Sequence, residues 1–359
     1  MIYLLLYISL KSPCINNSIN KKYVLLSTHM MKIIFTICSN NYLAQAKTLG
    51  DSVLRHNPDY TFVIMLCDKK KPAIDYSFYS DFDIIEISEI NIPKLDKMSK
   101  IYNIVELNTS VKPFCFEYLY QKYNANIVMY FDPDTCVFSN FNYIEEKLQN
   151  NDIILTPHIL TPIEFDGYYP TENLFTNYGI YNLGFLATKK SENTQTLFKW
   201  WQRRLEINCY IRPEEGIFVD QLPMNYAPLF FENVYVSTNM GLNMAPWNLH
   251  ERKISQKNGV WYVNNEEPLV FYHFSNYNPN TPDTLAKYYN RITFEGHNDL
   301  KSLYDGYKEE LLKNNYEELS KIECGYRKKT KNKKMPPIKK VLNYIKKYPL
   351  FLFKKDFWK

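Results

Sequence analysis

The sequence predicts an α/β domain with a mostly parallel sheet flanked by helices. Three observations lead there. Short apolar, partly β-branched runs recur through the first half, as in "KIIFTIC" (32–38), "TFVIMLC" (61–67) and "IVMYF" (127–131). Between them lie longer stretches with apolar residues at helical spacing. The 359 residues are 45% hydrophobic, enough to bury a large core.

Taken in order, 32–38 reads as the first strand. A helix follows over 40–57, with Tyr42, Ala46, Leu49 and Val53 on one stripe and Pro58 ending it. Residues 61–67 form a second strand that ends at Asp68, and 83–90 a third. A helix over 111–123 carries Pro113 in its first turn, where a missing N–H costs nothing. The run 127–131 is the next strand. This β-α-β-β-α-β order is that of a parallel sheet with crossover helices. Further on, 181–190 reads as a strand, and Ser191 caps a helix whose stripe is Leu197, Trp200, Trp201 and Leu205. A short helix over 216–222 stops at Pro223, and 269–275 is a late buried strand.

Composition narrows the class. The seven cysteines show no C-x-x-C spacing, which reads as reduced, mostly buried thiols with neither disulfides nor structural zinc. The apolar stretch "IYLLLYISL" (2–10) is too short to span a bilayer and lacks a basic flank or small-residue cleavage site. Met30 and Met31 open directly into the first strand, so residues 1–30 read as an extension and 31–324 as the domain. The end of the chain differs in kind. Residues 327–359 hold thirteen Lys or Arg against Asp356 alone, net +12, whereas the whole chain is +5, which leaves the body at −7. An acidic body offers nucleic acid no complementary face. The basic residues of the 325–359 segment, with Phe351, Phe353, Phe357 and Trp358, suit an anionic membrane surface instead; a merely solubilising tail is the other reading.

One stretch carries chemistry. In "NIVMYFDPDTCVFSN" (126–140) an apolar strand ends on Asp132-Pro133-Asp134. Ligands of open α/β sheets bind beyond the carboxyl ends of the strands. Residues two apart in extended chain share a side, and two carboxylates there repel unless a cation lies between them. A hard divalent ion takes oxygen ligands and can hold a diphosphate. A solvated turn with both acids capping backbone amides remains open.

With that motif, the ordered set "FTICSNNYLAQAKTLGDSVLRHNP", "VIMLCDKK", "VKPFCFEYLY", "YFDPDT", "YNLGFLATKKS", "FVDQ", "WNLHER" and "FYHFS" resembles GT-A-fold nucleotide-sugar glycosyltransferases over about residues 31–300. The similarity is to the glycogenin and lipopolysaccharide-galactosyltransferase type and related bacterial polysaccharide enzymes. The resemblance implies a Rossmann-like mixed sheet, a nucleoside diphosphate sugar donor (a UDP-sugar), and a glycan or polyprenyl-linked acceptor at the inner membrane face of the cytoplasm. Thr36, Asn40 and Tyr42 would hold base and ribose, Asp68 would accept from the base, and Lys112 would reach the nucleotide. Asp132, Asp134 and His273 would bind Mn²⁺ or Mg²⁺, imidazole favouring Mn²⁺. Asn182 and Gly184 would lie near the donor sugar. The glycogenin type follows its late His with Gly and Lys-Pro-Trp; here the text is "HFSNYNP", so the diphosphate clamp differs.

Two further constellations have paired readings. Asp220 and Gln221, on the expected 216–222 turn, suit a general base and an acceptor contact, or an acid favoured by a helix start. In "PWNLHERK" (246–253), Asn248 and His250 suit sugar hydroxyls, Trp247 a sugar platform and Arg252 a phosphate, or the stretch is a hydrogen-bonded surface loop. Tyr42 is equally a core residue of its helix stripe, Thr36 a plain strand residue, Asp68 a turn cap and His273 a core histidine. Two alternatives to a transferase stand beside it. One is a phosphohydrolase of the haloacid-dehalogenase type, although Cys136 departs from that motif. The other is a non-catalytic sugar-nucleotide or glycan-binding module.

Overall fold

The computed structural model describes residues 30–326; the expectations for the N-terminal extension and for the basic tail from 327 onward lie outside the described residues. Seven strands form the main sheet. β1 (Lys32–Cys38), β2 (Thr61–Leu66), β3 (Asp83–Glu86) and β4 (Ile127–Phe131) are joined by parallel ladders, β4–β1–β2–β3. A short β5 (Thr135–Val137) follows β4 but leaves the sheet. On the other side of β4 lie β7 (Phe185–Lys189), β6 (Ile153–Leu155) and an edge strand Val234–Val236. β7 runs antiparallel to both its neighbours, so the sheet is mixed but mostly parallel.

Both faces are covered, which explains the near-continuous apolar runs. In β1, Ile33, Phe35 and Ile37 pack into one core, and Ile34 and Cys38 into another, as the two-residue period of a strand requires. Helix α1 (Leu43–His56) contributes Ala46, Leu49 and Val53 to the second core. The helix Glu192–Leu205 contributes Leu197, Trp201 and Leu205 to the first, while Trp200 is only half-buried. Ser191 caps it by accepting from the Thr194 N–H, 3.0 Å.

Several elements differ from the sequence expectation. The 40–57 helix opens with a 3-10 turn, Asn40–Tyr42, which turns the Tyr42 ring out of the stripe to 42% exposure. The third strand stops at Glu86, where a capping box starts a 3-10 turn over Ile87–Glu89. The helix over 111–123 is Lys112–Lys122. Within 181–190 only Phe185–Lys189 is strand, and within 269–275 only Phe271–His273. The short helix expected over 216–222 is absent. A hairpin of Ile211–Arg212 with Ile217–Phe218 takes its place, turning at Gly216 in the left-handed region, φ +70°. Pro223 then opens a 3-10 helix, Leu222–Tyr226, instead of ending one, because its fixed φ suits a first turn.

The chain leaves β1 toward β2 and β3, then returns to lay β4 on the opposite side of β1. That reversal makes a crevice at the carboxyl ends of β1 and β4, where Asp132 and the 40–42 turn are found. Behind it, Phe131 is fully buried against Phe141, Phe185 and Phe271, with ring centroids 5.0–5.6 Å away. Phe131→Ala is expected to cost about 3–5 kcal/mol, read as a lower urea midpoint at unchanged m. A loss below 1 kcal/mol would mean that this packing does not hold the end of β4.

Candidate metal centre at the end of the fourth strand

Asp132 to Thr135 form a β-turn, with the Thr135 N–H donating to the Asp132 carbonyl, 3.2 Å. Pro133 sits at its second position, where its fixed φ is favoured. The turn sends the chain into β5, which pairs antiparallel with Phe271–His273 and sets His273 opposite Thr135. His273 Nε2 thereby lies 3.1 Å from Asp134 Oδ1 and 3.8 Å from Asp132 Oδ2. The three side chains offer ligand atoms within 4.8 Å of one another.

Two of the three candidate ligands are braced. Tyr130 donates its hydroxyl to Asp132 Oδ1, 2.5 Å, and the Asp132 N–H donates to the Gly184 carbonyl, 2.8 Å. The Trp247 ring stands edge-on to His273, centroids 5.1 Å apart. Gly184 is a glycine for want of room. A Cβ there would lie 2.6 Å from His273 Cε1 and 2.8 Å from Asp132 Oδ2.

The electrostatics couple the three side chains to one another. Burial opposes charge on His273, but Asp134 and Asp132 outweigh it and raise its pKa. Burial likewise opposes charge on Asp134, and His273 outweighs it, so its carboxyl lies below its ordinary value. Two carboxylates and one imidazole around one point fit a divalent ion of the Mn²⁺ kind. Beside Asp134 opens a cavity of about 270 Å³, walled by Asn41 and Tyr42 of the 3-10 turn, by Gln45 of α1, and by Tyr277, Tyr307 and Tyr316 from the C-terminal part. The Gln45 Oε1 and the Tyr277 and Tyr307 hydroxyls are buried without a partner, so polar hydrogen-bonding capacity remains there for a ligand.

The other expected site residues divide into three groups. Asn182, Gly184 and Gln221 do meet at the centre. The Gly184 N–H donates to Asn182 Oδ1, 3.1 Å, while Gln221 Oε1 accepts from the Leu183 N–H, 3.0 Å, and from Asn182 Nδ2, 3.3 Å. These carboxamides shape the 182–184 turn.

Lys112 and Asp220 meet each other. Their Nζ and Oδ2 are 2.6 Å apart and both side chains are buried. Lys112 Nζ also donates to the Leu183 carbonyl, 2.8 Å, and lies 4.0 Å above the Tyr130 ring. Burial raises the Asp220 pKa, against the pull of Lys112. Asp220 follows Val219, a β-branched residue held at φ +34°, a strained conformation of the kind found at functional sites.

The remaining residues are buried or already bonded. Arg252, 2% exposed, donates to the Met240 and Leu242 carbonyls, 3.0 and 2.7 Å, and to Glu251, 3.2 Å. It cross-links loops and offers no fork to a phosphate. Asn248 donates to the His158 and Asn243 carbonyls, 3.1 and 3.0 Å, and accepts from the Ala245 N–H, 2.9 Å. His250 Nε2 faces Thr161, 3.3 Å from its carbonyl. Trp247 is buried and offers no open platform. Thr36 is buried inside β1.

Asn40 and Asp68 sit together under residues 322–326. Asp68 Oδ1 accepts from the Lys69 and Gly325 N–H groups, both 2.9 Å. Asn40 donates to the Lys69 carbonyl, 2.9 Å, and accepts from the Tyr76 hydroxyl, 2.6 Å. A Cβ on Gly325 would lie 2.9 Å from Asp68 Oδ1.

Sequence reasoning missed Tyr130, His158 and Asn243. His158 is buried and neutral, its pKa lowered to about 4 by burial, and its Nε2 is 3.2 Å from Asn182 Nδ2. Asn243 donates to Thr156 Oγ1 and Asn182 Oδ1, 2.9 and 3.1 Å. A histidine between Pro157 and the apolar pair Ile159-Leu160, just after a strand, was the available signal for His158; one asparagine stands out poorly in an asparagine-rich chain.

Comparison with known proteins gives the following. No family model matches the chain. The uncharacterized protein YfnD of Bacillus subtilis (strain 168) is 26% identical over 247 residues, 67% of this chain and 76% of YfnD. Among solved structures, the fold is similar to the galactosyltransferase LgtC in complex with donor and acceptor sugar analogs, at 15% identity and TM-score 0.41, covering 76% of this chain and 96% of LgtC. It is also similar to the glycosyltransferase GlyE of Streptococcus pneumoniae TIGR4, at 14% identity and TM-score 0.45, covering 82% of this chain and 66% of GlyE. The described residues hold a candidate Asp-Asp-His metal group.

Gly184→Ala is expected to weaken Mn²⁺ binding at least tenfold by titration calorimetry, because its Cβ displaces His273 and Asp132, while the circular dichroism spectrum is kept. Unchanged affinity would place the ion elsewhere. The pH dependence has a defined sign. Protonated His273 competes with the metal, so Mn²⁺ affinity should rise with pH through the raised His273 pKa and level off above it. Without metal, the raised His273 pKa contributes stability that is complete below the unfolded value and lost as pH rises through the folded one; the lowered Asp134 pKa contributes stability lost as pH falls through its own. Mn²⁺ affinity flat across that range would remove His273 from the ligand set.

Proposed function

We propose that the protein is a metal-dependent glycosyltransferase that moves a sugar from a nucleoside diphosphate sugar to a glycan or lipid-linked acceptor in bacterial surface-polysaccharide assembly. The observation that carries this reading is the Asp132–Asp134–His273 cluster, set at the crevice between β1 and β4 and opening on a cavity with unpartnered polar groups. A divalent ion held by these three side chains would neutralise charge on the leaving diphosphate.

The chain's own residues supply position. Tyr130 and the Gly184 carbonyl orient Asp132. The Lys112–Asp220 pair holds the 182–184 turn through the Leu183 carbonyl, and Lys112 lies against one face of the Tyr130 ring. In this reading both act through Tyr130 and the turn, in place of the nucleotide contact and general base expected of them. Tyr42, which lines the same cavity as Asp134, is a face for the nucleoside. Asp68 is the partner of the base, and its Oδ1 presently accepts a peptide N–H from Gly325, the same kind of donor as a pyrimidine imide.

Two experiments separate the parts of this proposal. Asp132→Asn and Asp134→Asn should each lower Mn²⁺-dependent cleavage of a UDP-sugar at least a thousandfold with little change in melting temperature. Wild-type turnover in either variant, or in excess chelator, would refute the assignment. Gly325→Ala, which crowds Asp68, should loosen residues 322–326 and tighten UDP binding severalfold. Unchanged UDP affinity would place Asp68 outside the base site.

A further inference from the structure

We propose that loop 164–170, together with Tyr288, is a carbohydrate-binding surface that receives neutral pyranose rings on the acceptor side. The inference rests on the glycosyl-transfer reading for the word acceptor, but the surface stands on its own observations.

The sequence "EFDGYYP" places three aromatics within five positions, 165–169. None of them turns inward. Phe165 is 84% exposed, Tyr168 52%, Tyr169 53% and the neighbouring Tyr288 62%. Exposed aromatics scattered singly need no account, but a cluster on one ordered surface does. This surface is ordered by Arg291, a residue type of which the chain has few. Its guanidinium grips both Asp166 oxygens, 2.6 and 2.8 Å, and donates to the Glu164 and Tyr168 carbonyls, each 3.2 Å. The planar fork suits this multidentate role. Backbone bonds tie the two segments together. The Tyr169 N–H donates to Asn290 Oδ1, 2.7 Å, and the Asn290 and Arg291 N–H groups donate to the Tyr169 carbonyl, 3.1 and 3.0 Å. Gly167, at φ +84°, makes the turn between Asp166 and Tyr168. The aromatic rings are therefore carried on a pinned loop, with no further backbone ordering to be supplied on binding.

The chemistry of the surface selects its ligand. Tyr and Phe rings offer apolar faces, and the Tyr hydroxyls add polar edges. A pyranose matches both, with C–H bonds on its faces and hydroxyls around its rim. The flanking charges argue against an anionic lipid or nucleic acid. Glu164, Asp166, Glu172 and Asp283 outnumber Lys287 and Arg291, and Arg291 is already paired with Asp166. The segment that precedes the loop is tied to the candidate metal centre through buried packing. Ile163 and Phe175 pack in one apolar cluster with Trp247, with Tyr289 against it, and the Trp247 ring stands against His273.

The test uses the full chain with Mn²⁺ present. Wild type, Phe165→Ala, Tyr168→Ala and the double variant are applied to an array of immobilised neutral oligosaccharides, and separately to vesicles of neutral and of anionic phospholipid. All four should share one melting temperature and one Mn²⁺ affinity, because the substituted rings are exposed. The wild type should retain at least one class of oligosaccharide, and the double variant should bind it at least tenfold more weakly. Retention of no oligosaccharide by the wild type, equal binding by the double variant, or vesicle binding that the double variant loses would each overturn the proposal. Loop-dependent oligosaccharide binding by a chain that gives no Mn²⁺-dependent response to any nucleotide sugar would uphold the surface and refute the glycosyl-transfer reading.

Discussion

The three-residue ladder between β5 and Phe271–His273 is the constraint on which the site depends. It joins two segments remote in sequence in one register, with Phe271 opposite Val137, Tyr272 opposite Cys136 and His273 opposite Thr135. The Phe138 and Phe274 N–H groups lengthen it by donating to the Val270 and Asp134 carbonyls, 2.8 Å each. A shift of one residue would turn His273 to the opposite face and place Tyr272 or Phe274 against the carboxylates. The apolar neighbours prevent that shift. Phe271 is buried among Phe131 and Phe185, and Phe274 stacks on Tyr307 at 3.8 Å. Packing on both sides of one histidine thus decides where an imidazole meets two acids.

Behind the candidate ligands lie two buried polar networks. Asn182, Gln221, Asn243 and His158 exchange hydrogen bonds around the 182–184 turn, and the Lys112–Asp220 pair closes the space under Tyr130. Buried polar groups of this kind are costly unless paired. Here nearly every one of them bonds to a residue that shapes Gly184 or Asp132. The strained Val219, at φ +34°, belongs to the same region and directly precedes Asp220 and Gln221, one on each network.

The α/β class, the four parallel strands and the place of Asp132 and Asp134 at a strand end were legible in the sequence, because each is a local pattern: an apolar run, a helical stripe, or acids at a strand end; the two acids were expected on extended chain, whereas they lie in a β-turn. His273 was legible only through its order among other motifs. The partners of Lys112, Asp220, Asn248 and Arg252 were not, since a charged or amide side chain carries no local sign of whether it faces a ligand or a distant backbone carbonyl. The 216–222 segment misled for a related reason. Pro223 reads equally as the end of one helix or the start of another, and the hairpin turning at Gly216 settled it. Tyr42 was placed in a helix stripe by periodicity, yet the 3-10 turn that precedes α1 rotates it to the cavity wall.

The central claim is that one divalent ion is held by Asp132, Asp134 and His273. Crystals of the protein grown with Mn²⁺ and UDP, with diffraction collected at the manganese absorption edge, test it most directly. The account predicts one strong anomalous peak in contact with a carboxylate oxygen of Asp132, one of Asp134 and a His273 ring nitrogen, with the UDP diphosphate on its open side. Anomalous density elsewhere, with His273 still paired to Asp134 and no metal between them, would contradict it.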